Sequence, residues 1–398
     1  MTTTLQQQLG EIQTPDGALS SMICFDDDLP NEAMVHAWKS GTAEPPFAVL
    51  FGLEWNKERN HARMVPRVRF KPSDNGGEIQ SVQLTAEEAA QFQQFQAELI
   101  VQKNGSLRGS WQGSGGKKGV FKYSATSSNG ERVTATVCND WDAFKKWAAS
   151  TNQSMGACLF RGHGDKEFRL MTTLHRLGRS RLERYCGRTL QTFRQNAEAV
   201  LGMRINSADS EDYSMLLGLA QHHGLPTPLL DWTDSPYIAA FFAFSDALDS
   251  QSSRPHATHV RIYALSQDFV DQSSTPIVVV PFMRPYVSPL AISARHNPRL
   301  YAQQGKFLVT NVADLENYFC FMQKKYKRTD LIAADVPIAC AVEALKDLKF
   351  MGLTAATMFP RLDGVCRMMR HEMTFQRNIE TLPGLPAGSE SISPTPHA

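Results

Sequence analysis

The chain has 398 residues, of which 42% are hydrophobic and 20% charged, with a formal net charge of +1. That composition fits a globular protein with a sizeable core and excludes a disordered or globally basic one. The length suggests two domains.

The opening, MTTTLQQQLGEIQTPDG, is polar and lacks an apolar signal core. No run of about 18 apolar residues follows, so no membrane-spanning helix and no membrane partner are expected. The seven cysteines, at 24, 138, 158, 186, 320, 340 and 366, never fall within four residues of one another. Zinc-ribbon spacing is therefore absent, and reduced cytoplasmic thiols are the simplest reading.

Residues 1–45 are weakly patterned and read as an N-terminal arm. Residues 46–135 have a β-rich texture and form a smaller N-terminal domain. AVLFGLEW (48–55) and the alternating RVRF (67–70) read as strands. TAEEAAQFQQFQAEL (85–99) reads as a helix, with Thr85 and Glu88 spaced as a capping box. SLRGSW (106–111) and KGVFKYSA (118–125) flank a glycine-rich stretch and suggest a hairpin. That stretch lacks the ending of a phosphate-binding loop.

A second unit, 138–380, begins at Asn139 or Asp140. Either can cap a helix with Trp141, Phe144 and Trp147 on one face. ACLFRG (157–162) is a buried strand ending at glycine, and helices are expected over 179–203 and from Ser210 to Gly224. LLDW (229–232) is a strand. SPYIAAFFAFSDAL is a helix capped by Ser235, with Pro236 at its first position. THVRIYAL (258–265), PIVVVPF (276–282) and GKFLVTNV (305–312) read as strands. DLIAADVPI (330–338) is a further strand, followed by a helix at 341–352. Residues 381–398, rich in proline, serine and glycine, read as a disordered tail. The irregular alternation of helix and strand gives a mixed α+β class.

Several short stretches carry chemistry. Between Arg161 and Arg204 stand ten lysines and arginines against four acids, in a chain that is nearly neutral. Such an excess suits phosphate, in a ligand or in a nucleic-acid backbone, or simply a solvated face. In FRGHGD, Arg161 offers a rigid fork to phosphate or carboxylate. Gly162 permits close approach of backbone or ligand. A structural ion pair from Arg161 to Asp231 or Asp234 is the plainer alternative. His222 and His223 are adjacent, so they point about 100° apart on a helix and suit no single metal. Asp231 and the group Thr233–Asp234–Ser235 sit where a strand meets a helix N-terminus, a common place for ligands and also for simple capping. Gln303 and Gln304 stand before the strand at Gly305, at a ligand contact or a plain turn.

Taken in order, FRG at 160–162, QHHGLPTPLLDWTDSP at 221–236 followed by AAFFA, RLYAQQGKF at 299–307 and MFPRLDG at 358–364 resemble the FRG domain family of bacteria and phages. The resemblance spans roughly 138–370. Where that family has arginine after GLPT, this chain has Pro228.

The same order is similar, more loosely, to the ADP-ribosyltransferase fold with its split-sheet core. That likeness implies NAD as substrate. Arg161, Gly162 and His163 would meet its ribose or pyrophosphate. Thr233, Asp234 and Ser235 would lie at the nicotinamide end, and Gln304 at the acid position. Glutamine can hydrogen-bond there but supplies no charge, which Asp231, Asp234 or Glu372 would have to provide. The catalytic set is then Arg161, Asp231, Thr233 and Gln304, with no metal. The implied protein is an NAD-dependent transferase acting as a toxin or anti-phage effector on nucleic acid, RNA in particular, or on protein. An antitoxin or chaperone is the implied protein partner. The alternatives are a non-catalytic sensing module, or a metal-dependent nuclease using His163, Asp165, His222, Asp231 and Asp234. The N-terminal domain would recruit the target or an inhibitor.

Overall fold

The computed structural model describes residues 5–72, 79–124, 130–156, 158–250, 252–272, 283–292 and 298–380. It divides into an N-terminal β-barrel and an α+β domain.

The barrel contains β1 (Gln7–Thr14), β2 (Gly17–Cys24), β3 (Glu32–Trp38), β4 (Phe47–Trp55), β5 (His61–Pro72), β6 (Ile79–Ser81), β7 (Gln96–Val101), β8 (Leu107–Gln112) and β9 (Lys118–Tyr123). Their order is β4-β3-β2-β1-β9-β8-β7-β5-β6, and an additional β4–β5 pairing closes eight of them into a ring. Every pairing is antiparallel. Alternation sets the interior: in β7, Ala97 and Leu99 point inward beside exposed Gln96 and Glu98.

The N-terminal arm is therefore not separate from the β-rich domain, because β1, β2 and β3 supply three of the eight barrel strands. Their pattern is obscured by Gln7 and Gln8, which are polar yet buried. Gln7 bonds the Asn311 carbonyl at 2.7 Å, and Gln8 bonds that of Gly105 at 2.8 Å. Capping by Thr85 and Glu88 occurs as expected, but the helix stops at Gln93. The residues from Gln96 onward enter β7, where cross-strand pairing with β5 and β8 overrides helix propensity.

The second domain is built on β10 (Ala135–Val137), β11 (Cys158–His163), β12 (Leu229–Thr233), β13 (His259–Ser266), β14 (Val287–Leu290), β15 (Gly305–Thr310) and β16 (Leu331–Pro337). The sheet order is β10-β16-β13-β11-β12-β15-β14, with only β10–β16 parallel. Adjacent residues serve opposite faces. Phe160, Val260 and Ile262 join one core with Trp141 and Phe244. Leu159, Tyr263 and Leu265 join another with Leu308 and Phe319. The helix Trp141–Met155 is capped by Asp140, and Pro236–Asp249 by Ser235. The stretch expected as one helix over 179–203 is helical from Leu182 to Leu201, with a π-helical segment at Tyr185–Leu190. The segments read as a strand at 276–282 and as a tail at 381–398 lie outside the described residues.

The helix Pro236–Asp249 lies directly across β11. A Cβ on Gly162 would fall 2.0 Å from the Ala239 carbonyl oxygen, and one on Gly164 would fall 2.2 Å from the Asp246 carboxylate. These glycines admit the helix rather than a ligand.

The basic stretch has a structural destination. Arg179 and Arg184 pair with Asp28 at the barrel, Arg184 also with Asp26, and Arg181 with Glu32. Buried Asp26 additionally accepts the Ser180 and Arg181 backbone N–H groups, at 2.9 and 3.1 Å. The acidic turn FDDDLPNE (25–32) and the arginines thus neutralise one another at the junction between domains. Much of the local charge excess is spent inside the molecule.

Candidate functional site

The strands β11 and β12 are neighbours, yet they pair at a single position, Phe160 with Thr233. By contrast β11 pairs with β13 over six residues, and β12 with β15 over five. The sheet is therefore split past Phe160, and a cleft of about 860 Å³ opens along the divergence. Its floor and walls come from β11, β12, the helix end at Gln221–His222, the helix Pro236–Asp249 and the segments 299–307 and 359–367.

Arg161 bridges the split. Its Nη1 donates to the Asp231 carbonyl across the gap and lies 3.9 Å from the Asp231 carboxylate. Its Nε donates to His163 Nε2 at 3.3 Å. His163 is buried, and burial together with Arg161 and Arg176 holds its pKa well below the ordinary histidine value. The imidazole is neutral and accepts through Nε2, so its proton resides on Nδ1. Arg176 also lines the cleft and donates to the Met171 carbonyl at 3.1 Å. Burial lowers its pKa, and the opposing pull comes from Asp231.

Asp231 is the half-exposed carboxylate beside both arginines. It is steadied by Gln221, whose Nε2 donates to Oδ2 at 2.8 Å. Gln221 is fixed in turn by the Thr227 hydroxyl. One carboxylate thus faces Arg161 and Arg176, leaving an excess of positive charge at this end. The other cleft cations are engaged elsewhere. Arg169 pairs with Asp314, Arg299 with Asp363, Arg367 with Asp249 and Lys306 with Asp234. Phe168, Phe242, Phe307 and Phe359 give the cleft aromatic walls. Arg299 and Arg367 both stack on Phe359, at 5.3 Å.

Of the eight residues that the ADP-ribosyltransferase likeness places at NAD, five converge here: Arg161, Gly162, His163, Asp231 and Thr233 all line the cleft. The Thr233 hydroxyl is already committed, donating to the Gln303 carbonyl at 2.8 Å and accepting the Ser235 N–H at 3.2 Å. Three others stand outside the lining. Ser235 caps the helix through the Ile238 N–H. Asp234 forms an ion pair with Lys306 at 3.4 Å. Gln304 is exposed in a left-handed conformation with φ 45°, and its carbonyl accepts the Asp234 N–H. The preceding Gln303 lines the cleft instead, with its amide donating to the Met358 carbonyl at 3.0 Å. The left-handed backbone of Gln304 accompanies this difference, Gln303 lining the cleft and Gln304 standing outside it. Glu372 pairs with Lys349 and is not in the lining.

Sequence reasoning missed Arg176 and Gln221. The second is the first residue of QHHG, where the histidine pair drew attention. His222 lines the cleft at its helix end, and its ring meets that of His223 edge-on at 4.9 Å. Among the described residues no group of three or more His, Cys, Asp or Glu side chains could hold a metal ion. The five residues of the nuclease alternative form no such group. A Ser245–His371–Asp249 grouping takes two residues from the helix Pro236–Asp249, with Ser245 and His371 buried, but serine (3.2 Å) and aspartate (3.7 Å) both address Nε2. That geometry cannot relay a proton from one to the other.

Residues 156–252 match the FRG domain family. This segment carries β11, β12, the helix that packs on them, Arg176 and the helix end at Gln221–His222, while the cleft walls at 299–307 and 359–367 come from outside it. No curated protein matches the chain. Among solved structures, a redesigned β-barrel aligns at 11% identity, covering 31% of this chain and 92% of that one, with a TM-score of 0.21. No helix of the described residues is long and apolar enough to cross a membrane.

Proposed function

The chain carries an FRG domain, and from the cleft built on it we infer an NAD-dependent ADP-ribosyltransferase-like enzyme. The observation that carries the reading is the split between β11 and β12, with Arg161, Arg176 and Asp231 gathered along it. Two arginines facing one carboxylate suit a ligand pyrophosphate. Phenylalanine walls suit flat rings, and the cavity volume is in the range of sites for molecules of this size. The strand bearing Arg161, the strand ending at Thr233 and the strand that follows the glutamine pair also lie side by side, in the order β11-β12-β15. That neighbourhood supports the reading by bringing the three stretches to one part of the sheet.

In this reading Arg161 and Arg176 hold the pyrophosphate. The bond from the nicotinamide nitrogen to ribose C1′ breaks, and its electron pair leaves with nicotinamide. The Asp231 carboxylate, oriented by Gln221, stabilises the oxocarbenium-like charge left on the ribose. An acceptor nucleophile then bonds C1′ and releases its proton to solvent. The acceptor is a nucleic acid, with RNA first among the candidates, or a protein. The toxin or anti-phage role, with an antitoxin or chaperone as partner, belongs to the same proposal.

A specific observation favours one other reading. Gln304 is exposed and stands outside the cleft lining, and the start of β15 offers no carboxylate there. A non-catalytic nucleotide-sensing domain would need none. One experiment separates the two. The full chain is incubated with NAD labelled in its adenylate phosphate, together with RNA, DNA and cell lysate, and free nicotinamide is measured. Label transfer or nicotinamide release that is lost in Asp231→Asn supports the enzyme. Saturable NAD binding that is lost in Arg161→Ala, without turnover, supports the sensor. A folded chain that shows no binding and no release refutes both.

A further inference from the structure

The N-terminal barrel is not solid. Eight-stranded barrels have interiors just wide enough to be filled by side chains or to hold one small ligand. Here the half nearest the second domain is filled, by residues such as Ile23, Phe25 and Leu107. The other half encloses a cavity of about 340 Å³.

The cavity is reached from the far end of the barrel. Thr14 at the end of β1 and Leu19 near the start of β2 line it. Gln7, at the opposite end of β1, contacts Asn311 and Ala313 of the second domain. The lining is aromatic and aliphatic, with Phe47, Phe51, Phe95, Trp111 and Phe121 around it and Phe92 from the helix Ala86–Gln93 at its edge. Its polar groups are few and mostly committed. The Thr14 hydroxyl donates to the Gly17 carbonyl, and the Tyr123 hydroxyl bonds Ser21. One charged side chain lines the cavity, Arg69, which is exposed and lies 5.9 Å over the Phe47 ring.

An apolar chamber with one cation at its solvent side has a defined chemical complement. We propose that the barrel binds one small apolar monocarboxylate, a medium-length acyl chain or an aryl acid. Its hydrocarbon body packs among Phe51, Phe95, Trp111 and Phe121, and its carboxylate meets Arg69. The volume limits the occupant to a single short chain or one ring system, so a full phospholipid is excluded. The guanidinium is the group suited to pairing with a carboxylate.

The test uses the full chain with decanoate and decanol as probes, read by displacement of an environment-sensitive dye and by the shift in melting temperature. Decanoate is expected to displace the dye saturably and raise the melting temperature. Arg69→Gln, at an exposed position, is expected to weaken decanoate several-fold, as for an exposed ion pair, while leaving decanol unchanged. Val49→Trp, which fills the cavity, should abolish both, with circular dichroism confirming the fold. If neither probe binds the folded unmodified chain, the site is refuted. If decanol binds as tightly as decanoate and Arg69→Gln changes nothing, the assignment of an anionic ligand is refuted.

Discussion

Replacing Asp26 with alanine tests how the two domains are joined. Asp26 is 2% exposed. One carboxylate oxygen accepts the Ser180 and Arg181 N–H groups, and the other accepts Arg184 at 2.9 Å. Alanine removes all three bonds and leaves two backbone donors and part of a guanidinium without an acceptor. A buried donor left unmatched costs about 1–3 kcal/mol. Breaking a buried ion pair on one side costs about 3–5 kcal/mol. These costs overlap, because Arg184 keeps its two bonds to Asp28, at 2.6 and 2.7 Å. The expected loss is therefore about 3–5 kcal/mol rather than their sum. Asp26→Asn keeps one acceptor oxygen for both N–H groups but turns its NH2, a donor, toward Arg184, losing the charge-assisted bond to that side chain, so about 1.5–3 kcal/mol is expected. Urea unfolding followed by circular dichroism and tryptophan fluorescence gives both values. A loss under 1 kcal/mol for Asp26→Ala would refute the view that this carboxylate organises the junction, as would equal losses for alanine and asparagine.

The other predictions concern pH, packing and the cleft. His36 and His175 are buried, and burial lowers their pKa from 6.5 to about 4 and about 3, with Arg181 adding to the effect at His36. The folded chain holds both neutral while the unfolded chain protonates them below pH 6.5. Stability is therefore full above that pH and falls as pH drops, by about 2 kcal/mol per histidine at pH 5. Denaturation midpoints compared at pH 7 and pH 5 check this, and a flat profile in His36→Gln/His175→Gln would localise it. Gly162→Ala places a methyl group against the Ala239 carbonyl. A cost of about 1–3 kcal/mol is expected, at the upper end because the obstruction is backbone, and thermal unfolding measures it. Gln221→Leu removes the bond that steadies Asp231. It should lower nicotinamide release more than NAD binding, as separate turnover and binding measurements would show.

What the sequence discloses is uneven, for physical reasons. Local signals read correctly: the Thr85–Glu88 capping box, Asp140 as a cap, and Ser235 with Pro236 at a helix start. Each depends on atoms a few residues apart. The motif residues Arg161, Asp231 and Thr233 also proved to be neighbours, although Arg161 and Asp231 stand 70 residues apart in sequence. The failures involve distant partners. Buried glutamines hid the first barrel strand, because their partners are remote in sequence, Asn311 and Ala313 for Gln7 and Gly105 for Gln8. The arginine-rich stretch resembled a phosphate surface, because the acids that neutralise it stand some 150 residues earlier. Gln303 and Gln304 are indistinguishable in sequence, yet Gln303 lines the cleft and left-handed Gln304 does not. Glycine in FRG admits a helix, a use that its spacing alone does not distinguish from ligand contact.

The single residue pair that joins β11 to β12 has a mechanical consequence. Two half-sheets, each with a full ladder, meet at a seam that one side chain, Arg161, straps together. Any anion that draws the Arg161 guanidinium to itself also unfastens the strap and releases the Asp231 carbonyl. Occupancy of the cleft and the stiffness of the seam then trade against each other through one side chain, so the sheet would register its ligand as a loosening.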